Sequence, residues 1–214
     1  NKLDNNNHPF GSAKEIEIGY GIARAHRISY VGELGWELYV GSDQACHIFE
    51  VLREAGEKYD LSLCGLHSLD SCRIEKGYRH FGHDITDEDH VLEAGLGFAV
   101  KKEKEDFIGK DAVIKKDNNG LSKYLYQFQL EDPDLMLFHN EPIYRDGELV
   151  SYLTSGNYGH FLGTAIGMGY IPLRGETIDS VEKSSFHIEI AGTMAKANIS
   201  SNPLYDPVSK KIRA

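Results

Sequence analysis

The sequence predicts an α+β chain in two parts: an α+β segment over residues 1–116 and an all-β domain over residues 117–214. Two observations carry the division. Before residue 117, short alternating stretches are interleaved with apolar residues at helical spacing; beyond it, almost every apolar run is short and bounded by turn residues. The turn signal Asp117-Asn118-Asn119-Gly120, directly after a lysine-rich helix end, marks the boundary.

The elements follow in order. Residues Ile16 to Ser29 carry short alternating stretches with Ile22, Ala23 and Ile28 among polar neighbours, and Trp36 to Val40 reads as a second strand. Gly32-Glu33-Leu34-Gly35 between them predicts a tight hairpin turn, because glycine tolerates positive φ. Ser42 then offers an N-cap, and Ala45, Ile48, Phe49 and Leu52 recur at helical spacing up to about Tyr59. Asp60 to Leu63 reads as a short strand or turn. Leu66 to Lys76 reads as a second helix closed by Gly77. Tyr78 to His90 is a polar loop, and Leu92 to Val100 alternates small and apolar residues as a strand would. Beyond the boundary, strands are expected at Tyr124 to Leu130, Pro142 to Tyr144, Glu148 to Ser155, Ala165 to Ile171 and Phe186 to Ile190. Asp146-Gly147 and Gly192-Thr193 mark hairpins. Several short strands spaced by turns suggest a small antiparallel barrel or sandwich.

Composition narrows the function. With 41% hydrophobic and 26% charged residues the chain is of ordinary globular make-up. A net charge of −10 argues against a nucleic-acid partner, which needs a basic surface. There is no run of eighteen apolar residues, which argues against a membrane-spanning helix. The start, NKLDNNNHPFG, has neither an initiator Met nor an apolar leader core, so the native polypeptide is expected to begin further upstream. Cys46, Cys64 and Cys72 form no CxxC pair and sit among apolar neighbours; they read as buried free thiols in a reducing compartment, the cytoplasm or an organelle matrix. No GxGxxG follows a strand, so a dinucleotide-binding domain is not expected within these residues.

Arg27-Ile-Ser-Tyr-Val-Gly-Glu-Leu-Gly-Trp-Glu37 resembles the GYTGE-x-G-x-E strand–turn–strand of the glycine-cleavage T-protein family. Three further blocks stand in that family's order: Leu69-Asp-Ser-Cys-Arg-Ile-Glu-Lys-Gly-Tyr-Arg-His80, Leu92-Glu-Ala-Gly-Leu-Gly97 and Phe107-Ile-Gly-Lys-Asp-Ala112. Leu153-Thr-Ser-Gly-Asn-Tyr-Gly-His160 and Ile166-Gly-Met-Gly-Tyr-Ile171 are similar to its C-terminal barrel. The branch most resembled is the folate-binding C-terminal region of sarcosine and dimethylglycine dehydrogenases. The run Glu75-Lys-Gly-Tyr-Arg-His80 also suits the related non-catalytic subunit that regulates pyruvate dehydrogenase phosphatase.

The resemblance implies the C-terminal part of a folate-binding aminomethyltransferase-like domain followed by a small antiparallel β-barrel. The implied cofactor is tetrahydrofolate, with FAD only if an upstream oxidoreductase domain exists. The implied activity is one-carbon transfer from an N-methyl amine or an aminomethyl donor, and the alternative is a binding or regulatory subunit with the same fold. Glu37 takes the role of the carboxylate that accepts the pterin N3–H and 2-amino hydrogen bonds, a geometry two carboxylate oxygens match. Tyr30 takes that of the tyrosine packed beside the folate; core packing is the competing reading. Glu33 in the turn reads as solvated, and Trp36, one residue before Glu37, points to the opposite face.

Leu69 stands where the family has a substrate-binding arginine, which puts that contact in doubt. Arg73 matches the pattern's second arginine and is a weak site candidate, its simpler reading being an ion pair with Glu75 or Glu93. The catalytic aspartate implied by the family is expected upstream, so no catalytic residue is assigned and the chain alone is expected to be inactive. His80, His83 and Asp84 invite a metal, yet a solvated acidic loop is the simpler reading and none is expected. Gly156-Asn-Tyr-Gly159 reads as a turn with His160 on the rim. Oligomers are possible, since an α+β segment lacking sheet partners would expose strand edges.

Overall fold

The computed structural model describes residues 3–214; Asn1 and Lys2, the start of the polar leader, lie outside them. The chain folds as two compact units. The first comprises residues up to Asp70 together with Val208–Ala214, and the second is Ser71–Pro207.

In the first unit, β1 (Ala13–Ile18), β2 (Gly21–His26) and β3 (Glu37–Val40) form an antiparallel meander in that order. Alternation sends Ile16, Ile18, Ala23 and Ala25 inward, where they pack on Ile48 of α1 (Ala45–Gly56). The tight turn is not at Gly32–Gly35. It is Gly19-Tyr20, inside the stretch read as one strand region, with Gly19 at φ 58°. A Cβ there would fall 2.4 Å from His47 Nε2, which accepts the Tyr20 N–H at 2.9 Å. Gly32-Glu33-Leu34-Gly35 belongs instead to the longer loop between His26 and Glu37.

The helix begins two residues later than Ser42 suggests. Its N-cap is Gln44, whose side chain makes no capping bond and accepts the Ile22 N–H of β2 at 2.9 Å. A 3-10 turn, Glu57–Tyr59, continues the helix to the expected limit. Asp60, in the left-handed region at φ 56°, stops it, and no strand forms over Asp60 to Leu63.

α2 (Leu66–Glu75) is closed by Gly77 at φ 70°, with Gly77 N–H donating to Ile74 O and Tyr78 N–H to Arg73 O. That pairing is the Schellman end expected of a glycine there. Leu92 to Val100 is turns and a short 3-10 segment, not a strand. Its small residues serve close packing: Ala94 is fully buried, and Glu93 O takes the Leu125 N–H at 2.9 Å. α3 (Lys110–Asn119) ends at Gly120.

The rest is a closed antiparallel barrel. Its strands are β4 (Lys123–Leu130), β5 (Pro142–Arg145), β6 (Glu148–Gly159), β7 (Thr164–Pro172), β8 (Phe186–Ile190) and β9 (Thr193–Ser200), ordered β4-β7-β6-β5-β8-β9. A one-turn helix, α4 (Ile178–Val181), is capped by Thr177. The hairpin residues Asp146-Gly147 and Ala191-Gly192 all have positive φ, the geometry of a tight two-residue turn. Gly156-Asn157-Tyr158-Gly159 continues β6 rather than turning it. A Cβ on Gly156 would sit 2.7 Å from Phe138 backbone atoms, so this glycine answers a close chain crossing.

Candidate functional site

Glu37 opens β3 and pairs in register with His26 of β2, while Tyr39 pairs with Arg24. Because side chains alternate, Glu37, Tyr39, His26 and Arg24 share the sheet face opposite the Ile16–Ile48 core. On that face the Tyr39 hydroxyl donates to Glu37 Oε2 at 2.9 Å, and the His26 and Tyr39 rings lie 4.7 Å apart. The bond to Glu37, together with its charge, holds the Tyr39 phenol above the ordinary range. Half-buried Glu37 thus presents a carboxylate of fixed orientation with its second oxygen available, among the described residues, for further donors.

Trp36 packs on the opposite, core-side face, as alternation predicts. Arg27, almost fully buried, lies 4.8 Å from its ring and donates to the backbone oxygens of Gly35, Ile212 and Ala214. Tyr30 is half-buried in the loop before β3 and not on a strand arm; Glu33 is exposed in the same loop. Tyr39 and His26 were missed in the sequence. Tyr39 was within reach of period-2 reasoning from Glu37. His26 was not, because only the β2–β3 register brings it opposite.

Arg73 belongs to the interior of the second unit. Its guanidinium pairs with buried Asp84 and donates to Ser155 Oγ at 2.8 Å and Tyr78 O at 3.1 Å. The partner is therefore neither Glu75 nor Glu93. Glu75 accepts the Phe161 and Leu162 N–H groups at 2.8 and 3.0 Å. Glu93 takes Lys116 at 2.6 Å and Ser122 N–H at 2.8 Å. Burial alone would raise the Glu93 carboxyl, but Lys116 and the Ser122 donors outweigh it and hold the group at about 2.

The His80 and His83 rings lie 4.5 Å apart, tilted by 32°, and Asp84 also accepts the His80 backbone N–H and the Thr154 hydroxyl. Among the described residues no group of three or more His, Cys, Asp or Glu side chains is gathered to hold a metal ion. Nor is any helix there long and apolar enough to cross a membrane. The cysteines are not the buried thiols the sequence suggests: Cys46 and Cys64 are exposed and Cys72 is half-buried.

Two family models match the chain, "GCVT N-terminal domain" over residues 1–104 and "Glycine cleavage T-protein C-terminal barrel domain" over residues 123–206. The chain belongs to the glycine-cleavage T-protein family. This T-protein-family chain is 40% identical over 199 residues to 4-methylaminobutanoate oxidase (formaldehyde-forming) of Paenarthrobacter nicotinovorans, which covers 92% of the chain and 24% of that protein. It is 33% identical over 215 residues to mitochondrial sarcosine dehydrogenase of Homo sapiens, covering 99% of the chain and 23% of that protein. It therefore spans about a quarter of the length of these two curated relatives. The fold matches the glycine cleavage system aminomethyltransferase T from Bartonella henselae with a TM-score of 0.81 at 23% identity, covering 94% of this chain and 54% of that one. The six-strand barrel is the part described by the second family model.

Proposed function

We propose that the chain is a folate-dependent one-carbon transfer module in which Glu37 grips the pterin ring of tetrahydrofolate. The observation that carries this reading is the carboxylate on the open sheet face, oriented by Tyr39 and with one oxygen available. The donor set of a pterin edge, a ring N–H beside an amino group, fits that carboxylate. When bound, folate supplies the nitrogen that receives the one-carbon unit. The chain's own task is orientation: Glu37 fixes the ring edge, Tyr39 fixes Glu37, and Tyr30 in the preceding loop offers an aromatic wall. Residues 1–116 carry the folate-facing half in this reading and residues 117–214 the barrel half. The one-carbon donor is an N-methyl amine or an aminomethyl carrier, in keeping with the names of the relatives. FAD enters only through a separate oxidoreductase domain. No catalytic residue is assigned within the chain.

Titration calorimetry with tetrahydrofolate tests the proposal. Saturable binding is expected without one-carbon transfer by the chain alone. Glu37→Gln is expected to weaken that binding by about tenfold or more, the worth of hydrogen bonds to a charged acceptor. Unchanged affinity in that variant would overturn the assignment of Glu37. A binding or regulatory role is the second reading, with which Leu69 in the place of the family arginine is equally compatible; folate binding by the intact protein without turnover would select it.

A further inference from the structure

On the outward-facing side of the barrel, Lys123 of β4, Ser151, Tyr152 and Thr154 of β6, and Tyr170 and Pro172 of β7 line a recess of about 190 Å³. Neighbouring residues give its orientation. Leu125 and Ile171 flank this wall from opposite sides: Ile171 packs in the barrel interior, whereas Leu125 and Tyr170 pack with Ile74 of α2 outside it. Tyr170 is 9% exposed, and among the described residues its buried hydroxyl has no hydrogen-bond partner. An unsatisfied buried hydroxyl costs free energy unless something comes to meet it.

The other lining groups make the recess rich in donors. The Lys123 ammonium lies 4.1 Å from the Tyr170 ring centroid and gives one of its three hydrogens to Asp89 Oδ1 at 2.6 Å. The Thr154 hydroxyl is engaged by Asp84 and Met168 O. Remaining donors on the lining residues are the Tyr170 O–H, two Lys123 N–H groups and the Ser151 and Tyr152 O–H groups. The nearby carboxylates are already matched: Asp84 pairs with Arg73 and Asp89 with Lys123. Asp89, Asp84 and Glu93 lie within electrostatic reach of Tyr170, as does the Arg79 guanidinium; each carboxylate faces a cation of its own, Lys123, Arg73 and Lys116 respectively, and Arg79 adds a further positive charge. A single water satisfies one hydroxyl, but the recess exceeds the roughly 30 Å³ a water occupies in the liquid.

We propose that this recess binds a small carboxylate, with the Tyr170 hydroxyl and the Lys123 ammonium as its donors. The site is separate from Glu37 and does not depend on the folate reading.

Amide NMR of the full chain tests it, with sodium acetate as probe and sodium chloride at matched ionic strength as control. Acetate is expected to give saturable shifts at Lys123, Thr154 and Tyr170 that chloride does not produce. Tyr170→Phe is expected to weaken acetate by about tenfold, the worth of a hydrogen bond to a charged acceptor. The same variant should keep or raise Tm, since it removes a hydroxyl without a partner. Lys123→Gln should weaken acetate as well, and Glu37→Gln should leave it unchanged. Shifts that stay linear in acetate, that chloride reproduces, or that persist with full affinity in Tyr170→Phe would overturn the proposal.

Discussion

The side chain that orients Glu37 is its neighbour two residues on. A carboxylate at the start of an exposed edge strand would rotate freely, and the Tyr39 hydroxyl at 2.9 Å removes that freedom. Because the same bond favours the protonated phenol, the Tyr39 Cζ resonance is expected to titrate above the ordinary phenol range. In Glu37→Gln it should fall back towards that range; an unmoved titration would show that the two groups do not meet in solution. A second carboxylate gives a pH signature. The Glu93 carboxyl, held at about 2 in the folded chain against an ordinary 4.5, contributes stability that is fully present above about pH 5. That contribution is lost as the pH falls towards 2. Urea midpoints measured across this window should decline less steeply in Glu93→Gln than in the parent, and parallel curves would refute the assignment. At this scale the sequence was partly legible. The proposal for Glu37 rests on family resemblance, whereas the partners of Arg73 and Glu93 depend on contacts between residues far apart in the chain.

At the scale of elements, α2 is fastened from within. Its Arg73–Asp84 pair is buried on both sides, at 3% and 0% side-chain exposure. Removing one member strands the other charge, so Asp84→Asn is expected to cost about 3–5 kcal/mol in chemical denaturation. Replacing both Arg73 and Asp84 with apolar residues should recover much of that loss. The barrel wall offers a steric counterpart: Gly156→Ala drives a methyl into the Phe138 backbone and should cost about 1–3 kcal/mol or more by the same measurement. Helices and most barrel strands were readable because their periodicity reflects the face they bury. The Leu92 to Val100 reading failed for a physical reason, since small and apolar residues also alternate where a turn is pressed against a sheet. The Gly32–Gly35 reading failed similarly. Glycines permit a tight turn but do not demand one, and Gly19-Tyr20 took that role instead.

Across the whole molecule the two units differ in how much they bury. Among the described residues fourteen buried apolar side chains form the barrel core, against five in the cluster beneath the three-stranded sheet. The barrel also closes on itself, while among the described residues no further strand pairs with β1 or β3 at the sheet's edges. Hydrogen exchange is therefore expected to be slowest in β4, β6 and β7 and markedly faster in β1–β3. Equal protection in both would contradict the difference in burial. The change in composition near residue 117 was visible in the sequence. The compact division between Asp70 and Ser71 was not, because it falls inside α2 and is defined by contacts rather than by any turn residue.

Arg27 carries a consequence for synthesis. The first unit is interrupted: the chain leaves it at Asp70 and returns at Val208, so the second unit is an insertion. Arg27 donates to Ile212 O across a sequence separation of 185 residues. A ribosome adding roughly 5–20 residues per second leaves that guanidinium waiting about ten to forty seconds for its acceptor. Throughout that interval the first unit lacks its closing C-terminal segment, while every strand of the barrel is made before that segment.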